Sequence, residues 1–110
     1  MYVRIARFEG LDTSRIDEQV AEMKRDIDAA RSGSAPPEFA DQIEKLRGTV
    51  KRLNQLVDRQ SGTALGLTFC ETEEDVRTAD AALNEMSPGE GQGRRTGVEI
   101  YELVLDETFG

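Results

Sequence analysis

The chain has 110 residues, of which 22 are acidic and 14 are basic, so that its formal net charge is −8. This length predicts one domain with one hydrophobic core, residues 1–110. The excess of acidic side chains argues against nucleic-acid binding, because these side chains repel the phosphate backbone. One cysteine, no apolar N-terminal run of the signal-peptide type and no bilayer-length apolar run predict a cytoplasmic protein without membrane contact.

The N-terminal part predicts one strand followed by two helical segments. Met1–Phe8 is rich in β-branched and aromatic residues and is followed by a glycine, which favours a strand. Apolar residues at spacings of three and four then indicate an amphipathic helix from about Asp12 to about Gly33. Two prolines interrupt the pattern, and a short second helix is predicted over Glu38–Arg47.

Residues 49–57 fit two patterns. Their apolar residues would continue the preceding helical stripe, but they also suit a strand. We predict a strand, because the turn-forming residues 58–62 join this segment to a clearly alternating strand, Thr63–Cys70.

The C-terminal part predicts a helix and a last strand. Thr72 is a candidate N-cap three residues before Asp75, and the acidic residues of this first turn meet the positive end of the helix dipole. The helix is predicted to stop at residues 87–89. A glycine-rich loop, Gly89–Gly97, then leads into the strand Val98–Leu105.

This order of elements predicts an α+β fold of the ferredoxin-like, split βαβ type, β-α-β-β-α-β with a short extra helix. In that plan the helices cover one face of a four-stranded antiparallel sheet. The predicted last strand is apolar on both sides, and one layer of helices can bury only one of them. We therefore predict a homodimer in which two sheets pack face to face.

Three segments carry a family resemblance: MYVRIARFEG, VDRQSG followed by ALGLTFCETEEDV, and VEIYELVL. With them the chain, from about Met1 to Asp106, resembles the dimeric α/β-barrel proteins related to the antibiotic-biosynthesis monooxygenase domain. The resemblance implies a ferredoxin-like protomer, sheet-to-sheet dimerisation and a small pocket between sheet and helices. Some members of that family resemble cofactor-independent monooxygenases of aromatic compounds, and others degrade haem by means of His and Trp.

Haem degradation is not expected here, because the chain has no His and no Trp. The leading hypothesis is a homodimer that uses no cofactor and binds a small apolar or aromatic molecule between sheet and helices. The first alternative is a cofactor-independent monooxygenase of the same fold. The second is a helical protein-interaction adaptor, in which residues 39–57 would form one continuous helix.

Three groups of residues suggest chemistry but have simpler explanations. Cys70 has no histidine to activate it, and one cysteine without histidine supplies too few ligands for zinc, so we interpret it as a structural thiol. The acidic residues after it lack the spacing of a calcium loop and suit helix capping. The loop GEGQGRRTG precedes a strand, whereas phosphate-binding glycine loops precede a helix, and we interpret it as a connector.

Polar residues within the strands are the remaining candidates. Arg4 lies in an apolar strand, and we predict that it pairs with Glu99 or Glu102 of the neighbouring last strand. Alternatively, such residues line a ligand pocket, where the small side chains around Gly66 would leave room. The pocket candidates are Arg4, Asn54, Thr68, Cys70 and Tyr101.

Overall fold

A computed structural model of the chain describes residues 1–34, 36–86 and 93–110. Short 3-10 turns precede the first two helices. The strands form one antiparallel sheet in the order β2-β3-β1-β4, an α+β arrangement compatible with the predicted ferredoxin-like plan. In chain order the elements are β1 (Tyr2–Glu9), α1 (Ile16–Ser32), α2 (Ala40–Thr49), β2 (Val50–Asp58), β3 (Thr63–Cys70), α3 (Glu73–Asn84) and β4 (Arg94–Glu102).

The ambiguous segment after α2 is a strand, as predicted. The hydroxyl of Thr49 donates to the Lys45 carbonyl (2.8 Å) in the last turn of α2, and Val50 is already extended. From there β2 pairs with β3 along its length, because the turn between them returns the chain alongside itself. The adaptor hypothesis requires one continuous helix over residues 39–57, and this prediction is wrong.

The β2–β3 turn is built around Asp58 and Gly62. The Gly62 amide donates to the Asp58 carbonyl (3.0 Å), and Gly62 has φ 70°, a conformation that glycine adopts without strain. The Asp58 carboxylate accepts hydrogen bonds from the amides of Gln60 (2.9 Å) and Ser61 (3.2 Å). These bonds to the Ser61 and Gln60 amides hold the pKa of Asp58 below its ordinary value of 3.8.

Asp58→Asn is expected to weaken the pH dependence of stability in acid. A carboxyl whose pKa is lowered by folding stabilises the fold above its unfolded pKa, and this stabilisation is lost as the pH falls through the folded pKa. The variant should therefore unfold at lower urea concentration than the parent at about pH 6, and the difference between the two midpoints should be smaller at about pH 3, below the ordinary pKa of 3.8. Midpoints that differ equally at both pH values would contradict this prediction.

The helix ends follow their sequence signals. α1 ends at Gly33, which has φ 79° and whose amide donates to the carbonyls of Ala29 and Ala30. At the start of α3 the Thr72 hydroxyl accepts a hydrogen bond from the Asp75 amide (3.0 Å), which confirms the predicted cap. The predicted helix stop at 87–89 and the loop residues 89–92 lie outside the described residues. Among the residues described, no helix combines the length and apolarity needed to cross a bilayer.

The last strand begins and ends earlier than predicted, over Arg94–Glu102 rather than Val98–Leu105. Its extent is set by pairing with β1, from Arg94 opposite Glu9 to Glu102 opposite Tyr2. The Leu103 amide still donates to the Met1 carbonyl (2.8 Å), and the pairing with β1 ends there. Residues 103–110, here called the C-terminal tail, therefore leave the sheet.

The two faces of the sheet differ in burial. On one face, the helix face, the residues of β1 and β3 are mostly buried, because α3 and α2 pack over it around Cys70, Val76 and Ala79. On the opposite face, here called the open face, Ile5, Leu65 and Leu67 keep intermediate exposure. The strand register places Arg4, Ala6, Ala64, Thr68 and Cys70 on the helix face.

Candidate functional site

The five predicted pocket residues do not meet in one place. Arg4, Thr68 and Cys70 lie on the helix face, where Arg4 is directly opposite Thr68. Asn54 is opposite Leu67 and Tyr101 is opposite Val3, so both lie on the open face. Because side chains alternate between faces along a strand, the sheet itself separates the two groups.

Arg4 is held by α3 and not by the last strand. Its Nε donates to Asp80 Oδ1 and its Nη2 donates to Asn84 Oδ1, both at 2.8 Å. The predicted pairing with Glu99 or Glu102 is thus wrong: Glu99 lies on the opposite face, and although Glu102 shares the helix face, the guanidinium of Arg4 is bound by α3 instead. With the Arg4 residue only 3% exposed, these bonds satisfy a buried cation and leave it a structural role.

Cys70 is a core residue at the end of β3. It is fully buried in a cluster with Val76 and Ala79. Burial raises the pKa of its thiol, and the nearby Asp75 carboxylate acts in the same direction. A thiol with a raised pKa is a poor nucleophile, and this agrees with the interpretation of Cys70 as structural.

The small residues of β3 leave no open space on the helix face at Gly66. A methyl group built on Gly66 would lie 3.3 Å from Gln55 Oε1 and 3.6 Å from Phe8 Cε2. Neighbouring side chains thus occupy the volume that the missing side chain leaves. The Gln55 side chain is exposed and Gly66 is half-buried, so this contact lies at the margin of the helix face.

Two surface depressions remain as candidate binding sites. The wider one, about 750 Å³, runs between α2 and α3 and is lined by Lys45, Glu73, Arg77 and other residues of the solvent-facing helix surfaces. The other, here called the hairpin cleft, has a volume of about 470 Å³ at the end of the sheet where β2 turns into β3. Its lining includes Arg7, Phe8, Leu56, Val57, Thr63 and Leu65.

The hairpin cleft is the better candidate for a small organic molecule. Ligand sites are concave, mostly apolar and about 300–1,000 Å³ in volume, with a few polar groups that orient the ligand. Leu56, Leu65 and Val57 provide apolar walls, and Arg7 provides a cation. The helix groove is more open to solvent, and four of its six lining residues are charged, namely Lys45, Glu73, Glu74 and Arg77.

A polar cluster of Arg7, Glu99 and Tyr101 extends from the cleft across the open face. Arg7 Nε donates to Glu99 Oε1 (2.7 Å), and the Tyr101 hydroxyl donates to Glu99 Oε2. Sequence reasoning selected Tyr101 but missed its two partners. Alternation along β4 puts Glu99 and Tyr101 on the same side of that strand. The register that brings Arg7 of β1 next to them is not visible in the sequence.

The cluster is suited to binding rather than to proton abstraction. The hydrogen bonds from Tyr101 and Arg7 lower the pKa of Glu99, and the bond to Glu99 raises the pKa of Tyr101. At neutral pH Glu99 is therefore an anion with little affinity for a proton, and Tyr101 stays protonated. A general base works best with a pKa near the working pH, and neither group meets that condition.

No family model matches this chain, and no curated protein sequence matches it. The resemblance to dimeric α/β-barrel proteins therefore stays a prediction that rests on short sequence motifs. A function for the chain has to be inferred from the open face, the hairpin cleft and the residues around them.

Proposed function

We propose that this protein is a homodimer that binds a small apolar or aromatic molecule without a cofactor. The open faces of two copies pack against each other, and the second copy covers the hairpin cleft of the first. The proposed ligand site is the hairpin cleft at the end of the sheet, whose lining takes Arg7, Leu56 and Leu65 from the open face and Phe8 and Val57 from the helix face.

The observation that carries the proposal is the apolar character of the open face. Ile5, Leu65 and Leu67 lie side by side on its central strands with intermediate exposure, and Leu56 on β2 is 51% exposed. Covering such a patch is favourable, at about 25 cal/mol per Å² of apolar surface. Contiguous apolar patches on small proteins commonly mark interaction surfaces.

A second copy of the chain is the partner that suits this face. In a twofold dimer the same patch contributes twice, so an apolar sheet face is complementary to itself. Two sheets that pack face to face interdigitate their side chains in a layer about 10 Å thick. The Arg52 guanidinium lies over the Phe69 ring on this face, 5.1 Å from the ring centroid. In the proposed dimer this pair would be enclosed, with the charge of Arg52 directed to the rim of the interface.

The polar groups beside the cleft favour a ligand with an apolar body and one polar group, because Arg7 is accompanied there by the carboxylates of Glu9 and Asp58. Arg7 lines the cleft and is also the residue that pairs with Glu99. Its guanidinium has five N–H donors, and the contact to Glu99 uses the one on Nε, so the others can orient a ligand oxygen. The apolar walls would then hold the ring or chain of the ligand.

Binding is proposed ahead of the monooxygenase alternative because Glu99 is a weak base and Tyr101 stays protonated. Oxygen chemistry without a cofactor begins with a substrate that has lost a proton, and the lowered pKa values of Glu99 and of the cleft residue Asp58 make both carboxylates weak bases for that step. Oxygen uptake above background with hydroxylated aromatic compounds would reverse this order.

Titration with the neutral fluorophore N-phenyl-1-naphthylamine tests the ligand site. Thr63 lines the hairpin cleft and Thr78 lines the helix groove, and both have intermediate exposure, so they form a matched pair. Thr63→Phe should fill the cleft and weaken binding at least about tenfold, or about 1.4 kcal/mol, whereas Thr78→Phe should leave binding unchanged. Loss of binding in Thr78→Phe alone, or no saturable binding by the parent chain, would contradict the proposed site.

A further inference from the structure

The C-terminal tail exposes large apolar side chains that its own protomer does not cover. Val104, Leu105 and Phe109 are 83%, 73% and 97% exposed. The tail has no helix or strand of its own, and its anchor to the sheet is the hydrogen bond from Leu103 to Met1. Three large apolar residues within six positions, all in water, indicate a segment that packs on another surface.

One edge of the sheet is suited to receive an extended segment. β2 is an edge strand nine residues long, and its outer backbone groups face away from β3. Such an edge is a template for pairing with another chain. Leu53 and Leu56 on β2 are 47% and 51% exposed and lie on opposite faces, so an added strand would find an apolar contact on either side.

Charge favours β2 over the opposite edge. The tail carries Asp106 and Glu107, and β2 begins with the exposed Lys51 and Arg52. Within the described part of the chain, neither Lys51 nor Arg52 forms a salt bridge. The other edge strand, β4, carries Glu99 and Glu102, which would repel the tail acids, while its Arg94 pairs with Glu9 and its Arg95 donates to carbonyls at the end of α3.

Interface area also indicates a need for additional contact. Four strands about 4.8 Å apart and eight residues long cover about 500 Å² per copy, or about 1,000 Å² for two copies. Specific dimers bury about 1,200–2,000 Å² in total, so the open faces alone are at the lower limit. Two tails, each able to span about 23 Å when extended, would bring the interface into the ordinary range.

From these observations we infer that the C-terminal tail of each protomer adds as a further strand to the β2 edge of the second copy. Backbone hydrogen bonds supply the pairing, Val104, Leu105 and Phe109 supply apolar contact, and the tail acids meet Lys51 and Arg52. The inference rests on the proposed homodimer. By twofold symmetry each copy gives one tail and receives one.

Deleting residues 104–110 is the first test. The deletion should raise the dissociation constant of the dimer, measured by sedimentation equilibrium, at least about tenfold. It should also speed hydrogen exchange of the β2 backbone amides at concentrations where both forms are dimers. An unchanged dissociation constant together with unchanged exchange in β2 would overturn the tail inference and leave the dimer intact. A parent chain that stays monomeric at 100 μM would overturn the dimer and the tail inference together.

A charge exchange is the second test, and it does not depend on the pairing register. Lys51→Glu together with Arg52→Glu should weaken the dimer several-fold, and adding Asp106→Lys and Glu107→Lys to the same chain should restore it. Lys24→Glu together with Arg25→Glu, an equal change of charge at exposed positions of α1, is the matched control and should have no effect. Weakening by the exchange on β2 that the tail lysines do not restore would contradict the assigned contact.

Discussion

Asp80→Ala is expected to lower the free energy of unfolding by about 3 kcal/mol. The Asp80 side chain is 26% exposed, but it pairs at 2.8 Å with an Arg4 side chain that is only 4% exposed. Removing one partner of a buried pair costs about 3–5 kcal/mol, because it leaves an uncompensated charge. The exposure of Asp80 and the remaining bond from Arg4 to Asn84 favour the lower end of that range.

Glu73→Ala is the matched control for this prediction. Glu73 lies on the same helix and also pairs with an arginine at 2.8 Å, but both side chains, Glu73 and Arg77, are more than half exposed. Exposed pairs of this kind contribute about 0.2–1 kcal/mol. Urea denaturation should therefore separate the two alanine variants clearly. Equal losses in both would show that Arg4 is not held as a buried cation.

The double variant Arg4→Met, Asp80→Ala should recover most of the stability lost in Asp80→Ala. Buried ion pairs can often be replaced by apolar residues at little cost, since the desolvation penalty disappears together with the charges. Met has a flexible chain that can fill the space of the arginine stem. A double variant no more stable than Asp80→Ala would assign the loss to packing and not to the unpaired charge.

Leu56→Lys is expected to raise the dissociation constant of the dimer about a hundredfold while leaving the protomer folded. Leu56 lies on the open face and is 51% exposed in the protomer, so lysine is tolerated there in the isolated chain. In a twofold dimer each copy carries the change, and about 1.4 kcal/mol at each of the two positions multiplies to a factor of about 100. Sedimentation equilibrium measures the dissociation constant, and circular dichroism checks the fold.

Leu53→Lys is the matched control for Leu56→Lys. Leu53 lies on the same strand with 47% exposure, but its side chain points to the helix face. The same substitution there should weaken the dimer much less, because Leu53 can contact only the tail of the second copy at the β2 edge and not the open face of that copy. Equal weakening by both variants would contradict packing through the open face, and a stronger effect of Leu53→Lys would assign the interface to the helix side.

The contact between the two open faces and the contact between the tail and β2 have different chemical character, so their strengths should respond differently to salt. The open faces meet through Ile5, Leu65 and Leu67, and burial of apolar surface depends little on ionic strength. The contact of Asp106 and Glu107 with Lys51 and Arg52 lies at an exposed edge, where salt screens charge within about 8 Å at physiological ionic strength. The part of the dimer affinity lost on tail deletion should therefore shrink as salt is raised.

Local signals in the sequence were sufficient for several elements. Thr63–Cys70 alternates apolar and small residues between two turns, and it forms a strand with those bounds. The Thr72 cap and the helix end at Gly33 also follow from single residues, because capping and left-handed conformations involve only neighbours along the chain. For β2, the turn residues after it decided between helix and strand.

Other features depend on residues that are distant in sequence. The strand β4 starts at Arg94 because β1 offers pairing partners there, and its sequence pattern alone favoured a later segment. Arg95 adds to this placement by donating to the carbonyls of Leu83 and Asn84 at the end of α3. Such contacts cannot be predicted from the alternation of apolar and polar residues along β4. That alternation shows which residues of the strand share a face, but not which residues of other elements they contact.

By itself the sequence determined the order of the elements, several of their ends and which residues of one strand share a face, since these depend on backbone preferences and on a period of two along a strand. Only the tertiary structure decided that Arg4 pairs with Asp80, that Arg7 meets Glu99 and Tyr101, and that Gln55 fills the space at Gly66. The physical reason is that strand register and helix placement bring together residues up to about 90 positions apart, and these are set by the packing of the whole chain.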